Sequence, residues 1–411
     1  MPTSMPRTEF IALMAMLAAT VALSIDAMLP ALPAIGAALS PDDLNRAQLI
    51  ITSFVLGMGL GTFVAGPLSD TFGRKPVMLY GAAIYTVGAF MASKAETIEV
   101  MIMARVLQGL GASGPRVVAM AVIRDLYAGR GMAKILSFTM LIFALVPAIA
   151  PLIGSVIIDL SGWRAVFYAF IVFSAISALW LALRLPETLA PENRRPFRAK
   201  ALRSAVTEVL THPVVCLSII IQMLCFGMLF SMLSSVQQIY DVTFDRAASF
   251  PLWFGGVAIV AATSSILNAT LVERLGMMVL VRAMLIAQVV ICSLMLVFGI
   301  AAGAGHVPPD VFFAGFVLWQ ISIFFQVGLT IGNLTSIAQE PMGHIAGMAA
   351  SVISAVATIG AVFLAVPVGL LFDGTPIPLA IAVLLEAAAG LALTRLMMQR
   401  DAERSASPTL R

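Results

Sequence analysis

Apolar residues in this chain come in long unbroken runs separated by short polar breaks. Runs of about 20 residues match the length an α-helix needs to cross the hydrocarbon of a bilayer. Twelve are predicted, at about 10–36, 47–68, 76–94, 97–121, 135–158, 163–184, 213–238, 250–271, 279–303, 308–334, 344–371 and 377–398. A transmembrane barrel would instead alternate apolar and polar positions over short segments, so the predicted class is all-α integral membrane. The longest polar stretch is rich in Pro and Arg and follows the sixth run. It divides the chain into an N-terminal half (1–184), a linker (185–212) and a C-terminal half with a short tail (213–411).

Composition sharpens this picture. Of 411 residues, 60% are hydrophobic and only 11% charged, against about 25% charged in soluble domains. So few charges cannot coat a soluble fold of this length, and lipid must be the solvent for most of the surface. A net charge of +3 offers no basic face to nucleic acid. The three cysteines (Cys216, Cys225, Cys292) lie in apolar runs and predict neither disulfides nor a metal site, and with three histidines no metal or other cofactor is expected. No G-x-x-x-x-G-K-[ST] loop is present, which excludes a P-loop ATPase. Clustered acids or histidines at a membrane face, as an enzyme would need, are also missing. Arg7 followed by Phe10–Ile25 has the look of a signal peptide, but the run continues past Asp26 into Met28–Ile35 and is counted as a span.

Lysine and arginine concentrate on the cytoplasmic side of membrane proteins. With the N-terminus inside, eighteen of the 24 fall in cytoplasmic segments, among them Arg7, Arg74, Lys75, Arg124, Arg130, Arg195, Arg198, Arg400, Arg404 and Arg411. Four (Arg46, Lys94, Arg164, Arg246) fall outside, and Arg105 and Arg116 stay in the membrane. This bias predicts an even number of spans and both termini in the cytoplasm. The halves also echo each other, Leu68-Ser-Asp70-Thr-Phe-Gly73 after the second run and Leu271-Val-Glu273-Arg-Leu-Gly276 after the eighth. Parallel repeats predict a transporter with its site at the repeat interface.

Gly66-Pro-Leu-Ser-Asp70-Thr-Phe-Gly73-Arg74-Lys75-Pro76 resembles the G-x-L-[SA]-D-x-x-G-R-[KR] signature of the major facilitator superfamily, a twelve-helix fold of two six-helix bundles. The resemblance implies that Gly66, Asp70, Gly73, Arg74 and Lys75 form a conformational latch between the halves. Arg105-Val-Leu-Gln108-Gly109-Leu-Gly111-Ala resembles the superfamily's R-x-x-Q-G-x-G-A element. Ala150-Pro151-Leu-Ile-Gly154-Ser155 resembles the antiporters' G-P-x-x-G-G element, with Ala and Ser at its first and last positions, and makes Pro147, Pro151 and Gly154 antiporter-like. Leu23-Ser-Ile-Asp26-Ala-Met-Leu-Pro30-Ala-Leu-Pro33 resembles the bicyclomycin-resistance (Bcr/CflA) group of drug:proton antiporters. Val122-Ile-Arg124-Asp125, Gly162-Trp163-Arg164 and Leu185-Pro186-Glu187-Thr188 do so as well.

Charges inside the membrane are costly and mark function or pairing. Asp26 is the first candidate proton carrier and substrate contact, with Ala15, Ala19, Ala22 and Pro30 on its face; its bland alternative is a carboxylate solvated at the outer headgroups. Arg105, with Gln108 one turn away, is expected at a similar depth, either tuning Asp26 or serving a structural ion pair. Arg116 is explained by snorkelling. Glu386 is read as a contact to Gln288, with a second proton site as the alternative. Gln222, Phe226 and Phe230 in the seventh run and Trp319 and Gln320 in the tenth are candidate substrate contacts, though helix packing explains each aromatic about as well. The function expected from the resemblance is proton-coupled efflux of small amphipathic drugs or metabolites by a monomer, with proton-coupled uptake of a small polar metabolite as the alternative.

Overall fold

A backbone in lipid must satisfy its own N–H and C=O groups, and an uninterrupted apolar run does so as a helix. The computed structural model describes residues 5–194, 196 and 199–406, and no strand occurs among them. Of the cations used for orientation, Arg195, Arg198 and Arg411 lie outside the described residues, as do the side chains of Arg130, Arg400 and Arg404. Ten helical stretches are long and apolar enough to cross a bilayer. One of them, Pro309–Leu370, contains two of the predicted runs, and Gly129–Ser161 supplies the fifth run, which gives twelve crossings.

The first crossing is α1 (Arg7–Asp26) followed, after a 3-10 turn at Leu29–Ala31, by α2 (Leu32–Leu39). The sequence predicted one continuous helix here. Pro30 and Pro33 break it, because a proline offers no N–H and its ring crowds the carbonyl four residues back, which for Pro30 is that of Asp26. Then come α3 (Leu49–Phe72), α4 (Arg74–Ser93), α5 (Ile98–Leu126), α6 (Gly129–Ser161) and α7 (Arg164–Arg184). The polar link was expected to be a loop, yet part of it folds as α8 (Ala199–Thr211). The remaining crossings are α9 (Pro213–Gln238), α10 (Phe250–Leu275), α11 (Met277–Gly303), α12 (Pro309–Gln339), α13 (Ala346–Leu370) and α14 (Ile377–Ala406), with a 3-10 stretch, Glu340–Ile345, between α12 and α13.

The chain divides into two compact units, Met1–Ala199 with Ala248–Gly256, and Lys200–Ala247 with Val257–Arg411. In the first unit α5 packs most extensively against α3 and α4. Lipid tails are as apolar as leucine, so helices in a bilayer gain by close backbone approach rather than by hiding from water. Gly109 and Gly111 provide it on α5. A Cβ at Gly109 would overlap the Phe54 carbonyl of α3, and one at Gly111 would overlap the Tyr85 amide of α4. At the α1 N-terminal end, Phe10, Leu13, Met14 and Leu17 are buried with Met78 of α4, Val122 of α5 and Leu181 of α7. In the second unit α9 packs against α12, α13 and α14, and α11 against α12 and α14.

Large apolar side chains also point outward: Leu183, Phe363 and Leu318 are 74%, 70% and 68% exposed. No water-soluble surface tolerates them at this density, and they are the face that meets lipid.

Candidate functional site

Three groups of polar side chains sit inside this apolar framework. The first surrounds Arg105, which is fully buried on α5. Its Nε donates to the Ile50 carbonyl (3.1 Å), its Nη2 to the Ser24 carbonyl (3.0 Å) and its Nη1 to Gln108 Oε1 (2.7 Å). The guanidinium also lies 4.4 Å from the Phe54 ring centroid. Ser24 Oγ meets the Tyr85 hydroxyl of α4 at 2.5 Å and lies 2.6 Å from the Thr20 carbonyl. Arg105 and Gln108 are therefore brought together as expected, and they join α1, α3 and α5. Tyr85 is a member that the sequence reading missed. A tyrosine in an apolar run reads as packing; the available signal was its place between Gly81 and Gly88 on the helix face that meets α5.

Asp26 is the last residue of α1 and is 5% exposed. It is no headgroup carboxylate, and it forms no ion pair with Arg105: the guanidinium's partners are neutral. Among the described residues, no ion pair includes Asp26. Directly after it, the backbone of Ala27 is in contact with Gly154 of α6, where a Cβ would overlap the Ala27 carbonyl oxygen. The antiporter-like element thus abuts the break in the first crossing. Pro147 and Pro151 sit within α6, which runs on through both. Ala15, Ala19 and Ala22 are buried on α1. Arg116 is half-buried, with Nη1 3.1 Å from the Met58 sulfur.

The second group is the signature loop. The sequence placed Asp70 in a connection between helices, but the connection is Gly73 alone, with Asp70 inside α3. Gly73 turns the chain with φ +106°, a conformation costly to any residue with a Cβ. Arg74 Nη1 donates to Ser69 Oγ (2.7 Å) and Asp70 Oδ1 (2.5 Å), and its Nε donates to Asp125 Oδ2 (3.0 Å). Glu187 accepts from the Arg74 and Lys75 backbone amides at 2.9 and 3.1 Å. It thereby supplies a negative charge to the positive end of α4, whose first amides have no partner within the helix. Lys75 Nζ donates to the Ala182 carbonyl at 2.7 Å. The network joins the ends of α3, α4, α5 and α7 within one unit, and Gly66 lies one turn before Asp70 on α3. In the sequence Asp125 and Glu187 stand out only through a resemblance, because their partners are far away in the chain.

The third group lies in the second unit. Gln222 Nε2 on α9 donates to the Thr335 hydroxyl (2.5 Å) and the Ile331 carbonyl of α12 (3.3 Å). Phe226 and Phe230 stack with centroids 5.6 Å apart and planes 4° from parallel, Phe226 half-buried and Phe230 buried. Gln326 Nε2 reaches the Cys225 carbonyl at 2.9 Å. Trp319 and Gln320 are buried and engaged within this unit: the indole N–H donates to Cys292 Sγ (3.2 Å), and Gln320 Oε1 accepts from the Tyr240 hydroxyl (2.9 Å). A cavity of about 320 Å³ lies among Phe244, Arg246, Asp310, Phe312 and Thr375, and none of the predicted substrate contacts lines it.

No cluster of His, Cys, Asp and Glu among the described residues could hold a metal. What the arrangement offers is a bundle of lipid-facing helices with a few buried polar and ionisable groups, a make-up that suits a membrane transporter. Residues 14–365 match the sequence model described as Major Facilitator Superfamily. The chain belongs to that superfamily.

Its relatives are transporters and resistance proteins. It is 27% identical over 359 residues to the uncharacterized MFS-type transporter YdgK of Bacillus subtilis, covering 86% of each chain. It is 27% identical over 319 residues to a bicyclomycin resistance protein homolog of Haemophilus influenzae, covering 76% of this chain and 77% of that one. With a chloramphenicol resistance protein of Pseudomonas aeruginosa it shares 34% identity over 207 residues, about half of either chain (50% and 47%). Among solved structures, that of a D-xylose-proton symporter superposes with a TM-score of 0.74 at 14% identity, covering 95% of this chain and 97% of the other. At that identity the likeness concerns the fold alone.

Proposed function

We propose that this transporter is a proton-coupled antiporter exporting small amphipathic drugs or metabolites across the bacterial inner membrane by alternating access. The carrying observation is Asp26, a buried carboxylate without an ion pair at the proline break of the first crossing. A carboxylate kept from water and from cations binds a proton readily and gives it up once its surroundings are rehydrated. A helix broken beside it is a segment whose surroundings can change. In the cycle, Asp26 takes a proton from outside as substrate leaves, and releases it inside before new substrate binds. Arg105 acts as a positioning residue, tying the Ser24 carbonyl two residues upstream of Asp26 to α5. Gln108, Gln222, Phe226, Phe230, Trp319 and Gln320 are the substrate-contact candidates, and few polar anchors among apolar walls suit varied ligands. The resistance proteins among the relatives support the direction and the substrate class. The remaining parts of the proposal are a monomer with both termini in the cytoplasm, halves 1–184 and 213–411 joined by 185–212, and a latch at Gly66, Asp70, Gly73, Arg74 and Lys75.

The test is proteoliposome transport driven by an imposed pH gradient. Asp26→Asn should abolish substrate-linked proton movement while leaving the protein folded; unchanged proton flux in that variant would remove Asp26 from the mechanism. Ala150 and Ser155, where the antiporter element departs from its pattern, favour uptake as the second reading. Dye accumulation separates the two, because deleting an exporter raises the intracellular dye level.

A further inference from the structure

Glu386 is a second carboxyl group deep in the membrane region, and the cycle above does not use it. It is the tenth residue of α14, about 13 Å along the axis from the helix start. It is 6% exposed, and its Oε2 has no hydrogen-bond partner. Its Oε1 faces α9 beside Gly227, where an added Cβ would come within 2.9 Å of that oxygen. On α11, Gln288 is fully buried, with neither Oε1 nor Nε2 partnered. The two helices run antiparallel, with Gly299 against Ile377 and Leu285 against Gly390. That register puts Gln288 within about half a helical turn of Glu386 along the axis.

Among the described residues, no cation forms an ion pair with Glu386. Neither α9 (Pro213–Gln238) nor α13 (Ala346–Leu370) contains a charged residue. The only charge on α11 is Arg282, six residues or about 9 Å before Gln288. The next on α14 is Arg395, nine residues or about 13 Å beyond Glu386. Among the described residues, the Cys225 and Cys292 thiols are its titratable neighbours.

We propose that Glu386 and Gln288 form a second proton-binding site, contained within the C-terminal unit, that loads and releases a proton during transport. The partner's chemistry carries the argument. An arginine would keep the carboxylate ionised, and a wholly apolar wall would keep it protonated. A primary amide serves both states, because its oxygen accepts from the carboxylic acid and its N–H donates to the carboxylate. Neither side-chain atom of Gln288 has a hydrogen-bond partner, so the amide is free to turn to the carboxyl group in either state. Gly227 leaves room for the carboxyl against the α9 backbone, so a movement of α9 would alter its surroundings.

Coupling of this site to substrate rests on the proton-coupled reading above; proton binding itself does not. The first measurement therefore uses the wild-type protein in lipid, treated with dicyclohexylcarbodiimide, which modifies protonated carboxyl groups in apolar surroundings. Mass spectrometry should find Glu386 labelled, less so from mildly acidic to mildly alkaline pH, and differently when substrate is present. Gln288→Leu, which removes the donor to the carboxylate, should carry the labelling to higher pH. No label, or a label indifferent to pH and substrate, overturns the proposal. In the second measurement, reversal potentials give the proton-to-substrate ratio. Glu386→Gln should lower that ratio by one proton and flatten the pH profile of transport; a wild-type ratio and profile would show a permanently protonated structural residue. Asp26→Asn run in parallel separates the two readings, since it should abolish proton movement altogether, whereas Glu386→Gln should remove one proton and leave transport coupled.

Discussion

Asp26 and Arg105 lie on neighbouring helices, and oppositely charged residues there invite the assumption of an ion pair. Arg105 instead spends its donors on two carbonyls and an amide oxygen, which fixes where three helices meet. Such bonds from a charged donor contribute about 1.5–3 kcal/mol each when made, and a lysine ammonium cannot reproduce the guanidinium's fork. Arg105→Lys should lower the unfolding temperature in detergent, with a loss of about 2 kcal/mol or more, and should cost transport through displaced α1 rather than through altered proton affinity. A shifted pH profile with unchanged stability would instead assign the residue to proton handling. Gly154→Ala makes the same kind of test at the break. Its Cβ meets the Ala27 backbone, which cannot swing aside as a side chain can. We expect a cost of about 1–3 kcal/mol and reduced transport, read by thermal unfolding and by drug susceptibility.

At the scale of the element, the ends carry more information than the middles. Each membrane-crossing helix forms because an isolated apolar run in lipid can satisfy its backbone only as a helix, and for that reason the runs were readable from hydropathy. The break in the first crossing was present in the sequence as Pro30 and Pro33, but the apolar run continues through both prolines and concealed it. α8 was hidden differently. Its charges and the prolines before it read as a linker, although Leu202, Ala205 and Val209 recur at helical spacing. The capping of α4 by Glu187 was unreadable because 113 residues separate that carboxylate from the Arg74 amide it receives. Glu187→Ala should destabilise the protein by about 1–2 kcal/mol, the scale of a lost N-terminal cap, with Glu187→Gln between it and the wild type. Equal unfolding temperatures for all three would assign no stabilising role to the cap. Pro30→Ala should lengthen α1 past Asp26 and impair transport without weakening the fold.

For the whole molecule, the positive-inside bias makes an orientation that can be checked chemically. In a background with Cys216, Cys225 and Cys292 replaced, a cysteine at Asp43 or Asp310 should react with an impermeant maleimide added to intact cells. One at Arg203 should react only after lysis. The reverse pattern would invert the topology and with it the direction of the proposed cycle. The twelve crossings were legible because length and apolarity alone define a span. Most of the polar interior was not, since Tyr85 with Ser24 and Gln222 with Thr335 are partners from separate helices that no local pattern links.

The contact of α5 with its two neighbours has a consequence in time as well as in space. At Gly109 and Gly111 the peptide groups of α3, α4 and α5 touch without side chains between them. Opening an amide on α5 to solvent therefore requires the three helices to part together. Deuterium uptake should be slowest along Ala104–Ser113 and should stay slow while transport proceeds, marking this slab as the fixed frame against which the segment beyond Asp26 moves.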